Sequence, residues 1–371
     1  MAGVYFHIPF CRSRCIYCDF FSSTSLTEKE KYVDALCEEL KCRKDYLKGQ
    51  IIRTVYFGGG TPSLLSASDF EKIFQTFNHC FPATYLESLE ITLEANPDDI
   101  TLPYLDSIKD LPFNRISLGI QSFNDSELQF LRRRHDSASA VNVVKRLQEA
   151  GFGNISIDLM YGLPGQTLSI WEKTLQQAVD LNVQHISAYH LSYEEDTQLF
   201  ELMLRGNVCP VSEELSVQFF NVLIDTLSIS GFEHYEISNF ARQGYRSMHN
   251  TSYWNGEHYL GIGAAAHSYN GFERRWNRKS HDADYAMSDW EVEVLDEKTA
   301  YNDLIITGLR TKEGINLKKL ISLFGNEKEK YCLKQAEKYI KNQMLESTGG
   351  HLRLTRKGLF VSDGIMSDLM I

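Results

Sequence analysis

The chain has 371 residues, 23% of them charged, and a formal net charge of -11. That length suits one large core with a smaller appended unit, and the acidic balance excludes a general basic field for capturing nucleic acid. No apolar run is long enough to cross a bilayer, and residues 1–10 lack the pattern of a secretory leader, so a cytoplasmic protein without a transmembrane segment is expected.

In chain order, residues 4–9 predict a strand. Residues 27–47 have helical spacing, with Thr27 as cap and Glu30 three positions on. A β-rich run at 54–57 stops at Gly58-Gly59-Gly60, and 68–77 predict a helix capped by Ser68. Strands follow at 89–94 and 115–120, then helices at 126–131 and 137–150, the latter stopped by Gly151. A strand at 154–160, a helix at 168–181 and a sixth strand at 185–191 complete the series. Six strand-then-helix repeats predict an α/β fold, a partial (β/α)6 barrel, with a doubly wound open sheet as the alternative. Polar residues gathered after each strand would share one end of a barrel, where active sites form.

Residues 1–230 are read as this barrel. Residues 231–291, rich in aromatics, glycine and histidine with little helical periodicity, should extend it or close its mouth. Residues 292–371 predict a small winged-helix-like α+β domain: helices at 299–309, 317–324 and 328–343, then a hairpin turning at Gly349-Gly350.

Three of the eight cysteines fall close together, as Cys11-x3-Cys15-x2-Cys18. In a cytoplasmic chain eight cysteines are not a disulfide framework. Cys37, Cys42, Cys80, Cys209 and Cys332 are expected to be buried or inert thiols. Thiolates converging from one loop at short, uneven spacing suit an iron–sulfur cubane. A zinc site would need a fourth ligand, for which His7 and Asp19 are nearby. Three thiolates on a [4Fe-4S] cluster leave one iron open to the amino and carboxylate groups of S-adenosylmethionine (SAM), an arrangement suited to reductive cleavage of SAM.

The triad, with Tyr17 before its last cysteine, resembles the signature of the radical SAM superfamily, and Gly58-Gly59-Gly60-Thr61-Pro62 is similar to that family's glycine motif. The resemblance implies that Gly59, Gly60 and Thr61 approach SAM by backbone, and that Tyr5, Tyr17, Glu94, Gln121, Arg133 and Asp158 contribute to the cofactor site. Carboxylates, an amide and a guanidinium are reasonable partners for SAM's ammonium, carboxylate and ribose. Against this, Arg132 and Arg134 flank Arg133 as on a solvated helix face.

Tyr5-Phe6-His7-Ile8-Pro9-Phe10-Cys11, Ser117-Leu118-Gly119-Ile120-Gln121 and Asp158-Leu159-Met160-Tyr161-Gly162-Leu163-Pro164-Gly165 resemble the coproporphyrinogen III oxidase-like branch. That branch holds an oxygen-independent oxidase and a heme-chaperone group. The oxidase carries a further cysteine where this chain has Phe20, and His249-Asn250-Thr251-Ser252-Tyr253-Trp254 is similar to a motif of the chaperones. The resemblance therefore implies heme binding and delivery to an acceptor protein, with no coproporphyrinogen turnover expected. His249, Tyr253 and Trp254 are candidate heme contacts, since iron accepts imidazole and aromatics offer flat apolar surface. A packed structural corner is the competing reading for His249, as is a tight turn for Gly261-Ile262-Gly263-Ala264-Ala265-Ala266-His267. Radical chemistry on a porphyrinogen is the second functional reading. Nucleic-acid binding by the tail is disfavoured because its acidic and basic residues are about equally numerous.

Overall fold

A computed structural model describes residues 1–279 and 290–371. The repeats run β1 (Ala2–Ile8), α1 (Lys29–Arg43), β2 (Ile52–Gly59), α2 (Ala67–Cys80), β3 (Glu90–Ala95), α3 (Leu102–Ile108), β4 (Arg115–Gln121), α4 (Asp125–Phe130), α5 (Ser137–Glu149), β5 (Ile155–Tyr161), α6 (Leu168–Asp180) and β6 (His185–His190). Strands β1 to β6 are parallel and lie in sequence order. This is the α/β partial barrel, and its two faces are set by period-two alternation. Phe6, Phe57, Leu93, Leu118 and Ile157 are buried on the face beneath the helices, where Phe57 meets Phe70 and Phe74 of α2 at 5.3 and 5.5 Å. The alternate positions, among them Tyr5, His7, Tyr56, Glu94, Arg115 and Asp158, face the lumen.

Beyond β6 come α7 (Gln198–Leu204), α8 (Glu213–Ile229), β7 (Glu233–Glu236), β8 (Asn239–Ala241), α9 (Met248–Trp254), β9 (His258–Ile262), β10 (His267–Tyr269), β11 (Glu273–Asn277) and β12 (Trp290–Val294). The short strands β8 and β7 extend the β6 edge in antiparallel fashion. Strand β9 instead returns to pair parallel with β1, so the first strand of the chain lies inside the sheet. Strands β10 to β12 continue outward from β9 in antiparallel order. A buried polar knot holds this addition. Arg43 of α1 donates to Glu39 at 2.7 Å and to the Gly261 carbonyl at 2.8 Å, while Asn277 donates to Glu39 at 2.7 Å.

The C-terminal residues have their own apolar core, built on Tyr301, Ile305, Leu320, Ala336, Leu352 and Ile365. Helices Glu297–Leu309, Leu317–Lys341 and Ser362–Leu369 pack with a three-stranded sheet of β13 (Ile315–Asn316), β15 (His351–Leu354) and β14 (Leu345–Thr348). Gly349 and Gly350 both have positive φ, the conformation a two-residue hairpin turn demands.

Several local expectations differ from the structure. Thr27 does not cap α1: Glu28 holds that position without a side-chain cap, and Thr27 pairs with Ser25 at 2.9 Å. Ser66, not Ser68, caps α2, in a reciprocal box with Asp69. The middle region contains α9, too short for its periodicity to register, and residues 280–289 of that region lie outside the described residues. Cys37 and Cys332 are buried and Cys80 is half-buried, but Cys42 and Cys209 are exposed; all eight thiols are free.

Candidate functional site

The cysteine loop leaves β1 and is pinned at its base. Ser23 donates to the Pro9 carbonyl at 2.6 Å and Cys11 donates to the Ser23 carbonyl at 2.9 Å, which closes the loop on itself. The glycine turn after β2 packs directly against it. A Cβ on Gly60 would lie 2.8 Å from the carbonyl oxygens of Ile8 and Phe10, and one on Gly59, whose φ is +107°, would strike the His7 ring. Only glycine lets these two loops approach so closely. Thr61 then donates to the Cys11 sulfur at 3.5 Å, and Asn96 donates to Thr61 at 3.1 Å.

Arg133 crosses the same space. It donates to the Cys15 sulfur at 3.3 Å and also to Asn96 and to the Gly119 carbonyl, while its Nε is buried without a partner. It is therefore not a solvated helix residue. Its neighbours point elsewhere, Arg132 to Gln198 at 2.7 Å and Arg134 to Asp99 at 3.0 Å. Gln121, at the end of β4, is buried and holds a φ of +72°. That is strained backbone for a residue with a side chain, of the kind that collects at functional sites.

Two carboxylates stand deep in the lumen. Glu94 accepts from the Tyr56 hydroxyl at 2.6 Å and from the Gly59 amide at 3.1 Å. Burial pushes its pKa up to about 7. Burial likewise raises Asp158 to about 6. Neither has an ion-pair partner among the described residues, so a cationic ligand between them would restore their charged forms. Tyr17 packs with Ile16, Leu131 and Met160 beside the loop. His7 is not a free fourth metal ligand: its nitrogens meet the Tyr5 hydroxyl at 3.1 Å and the Phe21 carbonyl at 3.0 Å. Asp19 is exposed.

The histidine motif lies on α9, capped by Ser247. His249 sits under the start of β1 and β2, where a Cβ on Gly3 would be 3.0 Å from its ring. It bridges the Thr54 hydroxyl at 2.7 Å and the Tyr253 hydroxyl at 2.8 Å and stacks on Tyr56 at 4.9 Å. Both ring nitrogens are engaged, so the packed-corner reading fits His249 and the iron-ligand reading does not fit this conformation. It lies at the amino end of the strands, beside Gly3 and Thr54. Its helix partners behave differently. Tyr253 and Trp254 line a cavity of about 970 Å³ together with Tyr5, Phe20, Leu323 and Phe324. This cavity runs from the cysteine loop to the C-terminal helices. Sequence reasoning missed Tyr56, Asn96 and Arg115. The signal was available, as Tyr56 falls within a strand, Arg115 opens one and Asn96 directly follows one, each a polar group beside an otherwise apolar run.

A partial barrel whose first loop carries three free thiols, with glycines after the second strand and lumen-facing carboxylates on the third and fifth, is the architecture of a radical SAM protein. Residues 5–178 match the Radical SAM superfamily model and residues 295–361 match the HemN C-terminal domain. The chain is 33% identical to "Heme chaperone HemW" of Lactococcus lactis, covering 100% of this chain and 97% of that protein. It is 34% identical to "Heme chaperone HemW" of Bacillus subtilis, covering 88% and 87%. The solved structure of coproporphyrinogen III oxidase (HemN) from Escherichia coli matches with a TM-score of 0.84 at 22% identity, over 100% of this chain and 90% of that one, a likeness of fold. The chain belongs to the radical SAM superfamily and, within it, to the family of heme chaperone HemW. Membership implies a [4Fe-4S] cluster and SAM as cofactors.

Proposed function

We propose that this protein binds heme and delivers it to acceptor proteins, on a scaffold that holds a [4Fe-4S] cluster and SAM. The observation that carries the reading is the cavity of about 970 Å³ walled by aromatic side chains of the histidine-motif helix and opening onto the cysteine loop. Its size lies at the upper end of the roughly 300–1,000 Å³ usual for small-molecule sites. The relatives named as heme chaperones, matched over 100% and 88% of this chain, support the same reading.

Cys11, Cys15 and Cys18 would hold the cluster. When bound, that cluster supplies a low-potential electron able to cleave SAM reductively. Glu94 and Asp158 would receive the positive end of SAM, Gly59, Gly60 and Thr61 would let it approach the backbone, and Arg133 would balance charge beside Cys15. Tyr5, Tyr17 and Gln121 would shape the pocket. Tyr253 and Trp254 would flank the macrocycle.

Oxidative decarboxylation of coproporphyrinogen III is the second reading, favoured by the lumen carboxylates Glu94 and Asp158 and by Arg133 beside Cys15. Anaerobic reconstitution, then incubation with SAM, dithionite and coproporphyrinogen III with products followed by mass spectrometry, separates the two. The chaperone reading expects no decarboxylated product, one hemin bound per chain, and transfer of that hemin to apomyoglobin. Repeated turnover to protoporphyrinogen would overturn it.

A further inference from the structure

The heme-binding reading leaves the iron without a ligand, because the motif histidine is occupied elsewhere. The cavity walls hold the candidate replacements. His7 lines it, but both its nitrogens are hydrogen-bonded. Among the described residues no cysteine or methionine lines it. Tyr253, Tyr259 and Tyr269 do, yet burial raises the pKa of each hydroxyl, which disfavours a phenolate ligand. That leaves His267, at the first position of β10, which also lines the cavity.

We propose that His267 is the axial ligand of the heme iron and that His249 is a structural bridge beneath the site. This rests on the heme-binding reading above. The ring of His267 is exposed, and among the described residues its nitrogens have no hydrogen-bond partner. It is braced rather than loose: Trp276, its cross-strand partner, stacks on it at 5.8 Å with 21° between the planes.

The backbone beneath is fixed as well. Gly263 and Ala265 take positive φ values of 112° and 59° between β9 and β10. A Cβ on Gly261 would lie 2.0 Å from the His267 carbonyl, so the returning strand is seated on glycine backbone. The buried Glu39 carboxylate accepts from the Gly263 amide at 2.9 Å, which ties this turn to α1. The glycine-and-alanine run before His267 therefore does two things. It makes the turn, and it presents from a rigid base one imidazole whose nitrogens are unbonded among the described residues. Lys279 and Lys319 bring positive charge to the same cavity, suited to the propionates of a heme, while Arg274 is paired there with Asp303 and Glu293.

The test uses the full chain with its cluster reconstituted and ferric hemin as probe. Hemin titration is followed by the Soret band, and iron-bound nitrogen by the hyperfine coupling of imidazole in pulsed electron paramagnetic resonance. Wild type and His258→Ala, a half-buried histidine outside the cavity, are expected to show the imidazole coupling. His267→Ala is expected to lose it and to bind hemin about tenfold or more weakly. Added imidazole should restore the Soret band of His267→Ala, which an unfolded variant would not allow. Unchanged coupling in His267→Ala, or wild type that binds hemin without imidazole coupling, would overturn the ligand assignment alone. Wild type that binds no hemin would overturn the heme reading itself.

Discussion

Replacing His249 by alanine separates a structural histidine from an iron ligand before any heme is added. The substitution deletes two buried hydrogen bonds, to Thr54 at 2.7 Å and Tyr253 at 2.8 Å, and strands a Thr54 hydroxyl that is only 2% exposed. With each bond worth about 1 kcal/mol and an orphaned buried hydroxyl about 1 more, the full chain without cluster or heme should lose about 3 kcal/mol at pH 7. The deficit should depend on pH. Burial, with Arg115 nearby, holds the His249 pKa down at about 3. The unfolded chain binds this proton near pH 6.5 and the folded chain does not. Wild type therefore loses stability as pH falls below 6.5, by about 2 kcal/mol at pH 5 from this residue alone. The variant has no such group, so its deficit should shrink to about 1 kcal/mol at pH 5. Urea unfolding at pH 7 and pH 5 measures both values. Wild-type stability at pH 7 would show that His249 is not a buried bridge, and a deficit equal at the two pH values would show that its ring is not held neutral.

Gly60→Ala places a methyl 2.8 Å from two backbone carbonyls beside the cysteine loop. It should cut the iron retained after anaerobic reconstitution, while Gly364→Ala, with nothing within 4 Å, should not; full iron in Gly60→Ala would count against the loop contact. Glu94→Gln removes a charge that accepts two hydrogen bonds. It should weaken SAM binding in equilibrium dialysis by about tenfold to a hundredfold with iron content unchanged, since bonds to charged groups are worth about 1.5–3 kcal/mol. Unaltered SAM affinity would remove Glu94 from the site. Phe20 is 63% exposed and borders the cavity, so Phe20→Ala should keep full iron but lose hemin affinity, and loss of iron instead would place it at the cluster.

The barrel was legible because each of its strands is short, apolar and closed by glycine or polar residues, as at Gly58 and at Asn96-Pro97. The cysteine triad was legible because its spacing lies within one loop. What sequence could not show is long-range. Parallel pairing of β9 with β1 joins residues from opposite ends of the barrel chain, and no local pattern encodes it. The seven residues of α9 span two turns, too few for periodicity to register. His249 reads the same from sequence whether its ring faces iron or Thr54; only the contact with Gly3 and β2 decides. The glycines before His267 explain a turn by themselves, and its stacking on Trp276 depends on a strand pairing seen only in three dimensions.

The position of β1 inside the sheet also orders the assembly of the molecule in time. Ala2 pairs with His258, 256 positions later in the chain. At the usual 5–20 residues per second, synthesis leaves one edge of the first strand unpaired for about 13–50 s. An unpaired parallel edge invites other strands, and a contact so distant in sequence forms slowly. A fragment ending before β9 would leave the strand that leads into the cysteine loop at a sheet edge, so the barrel repeats alone do not make up a complete folding unit.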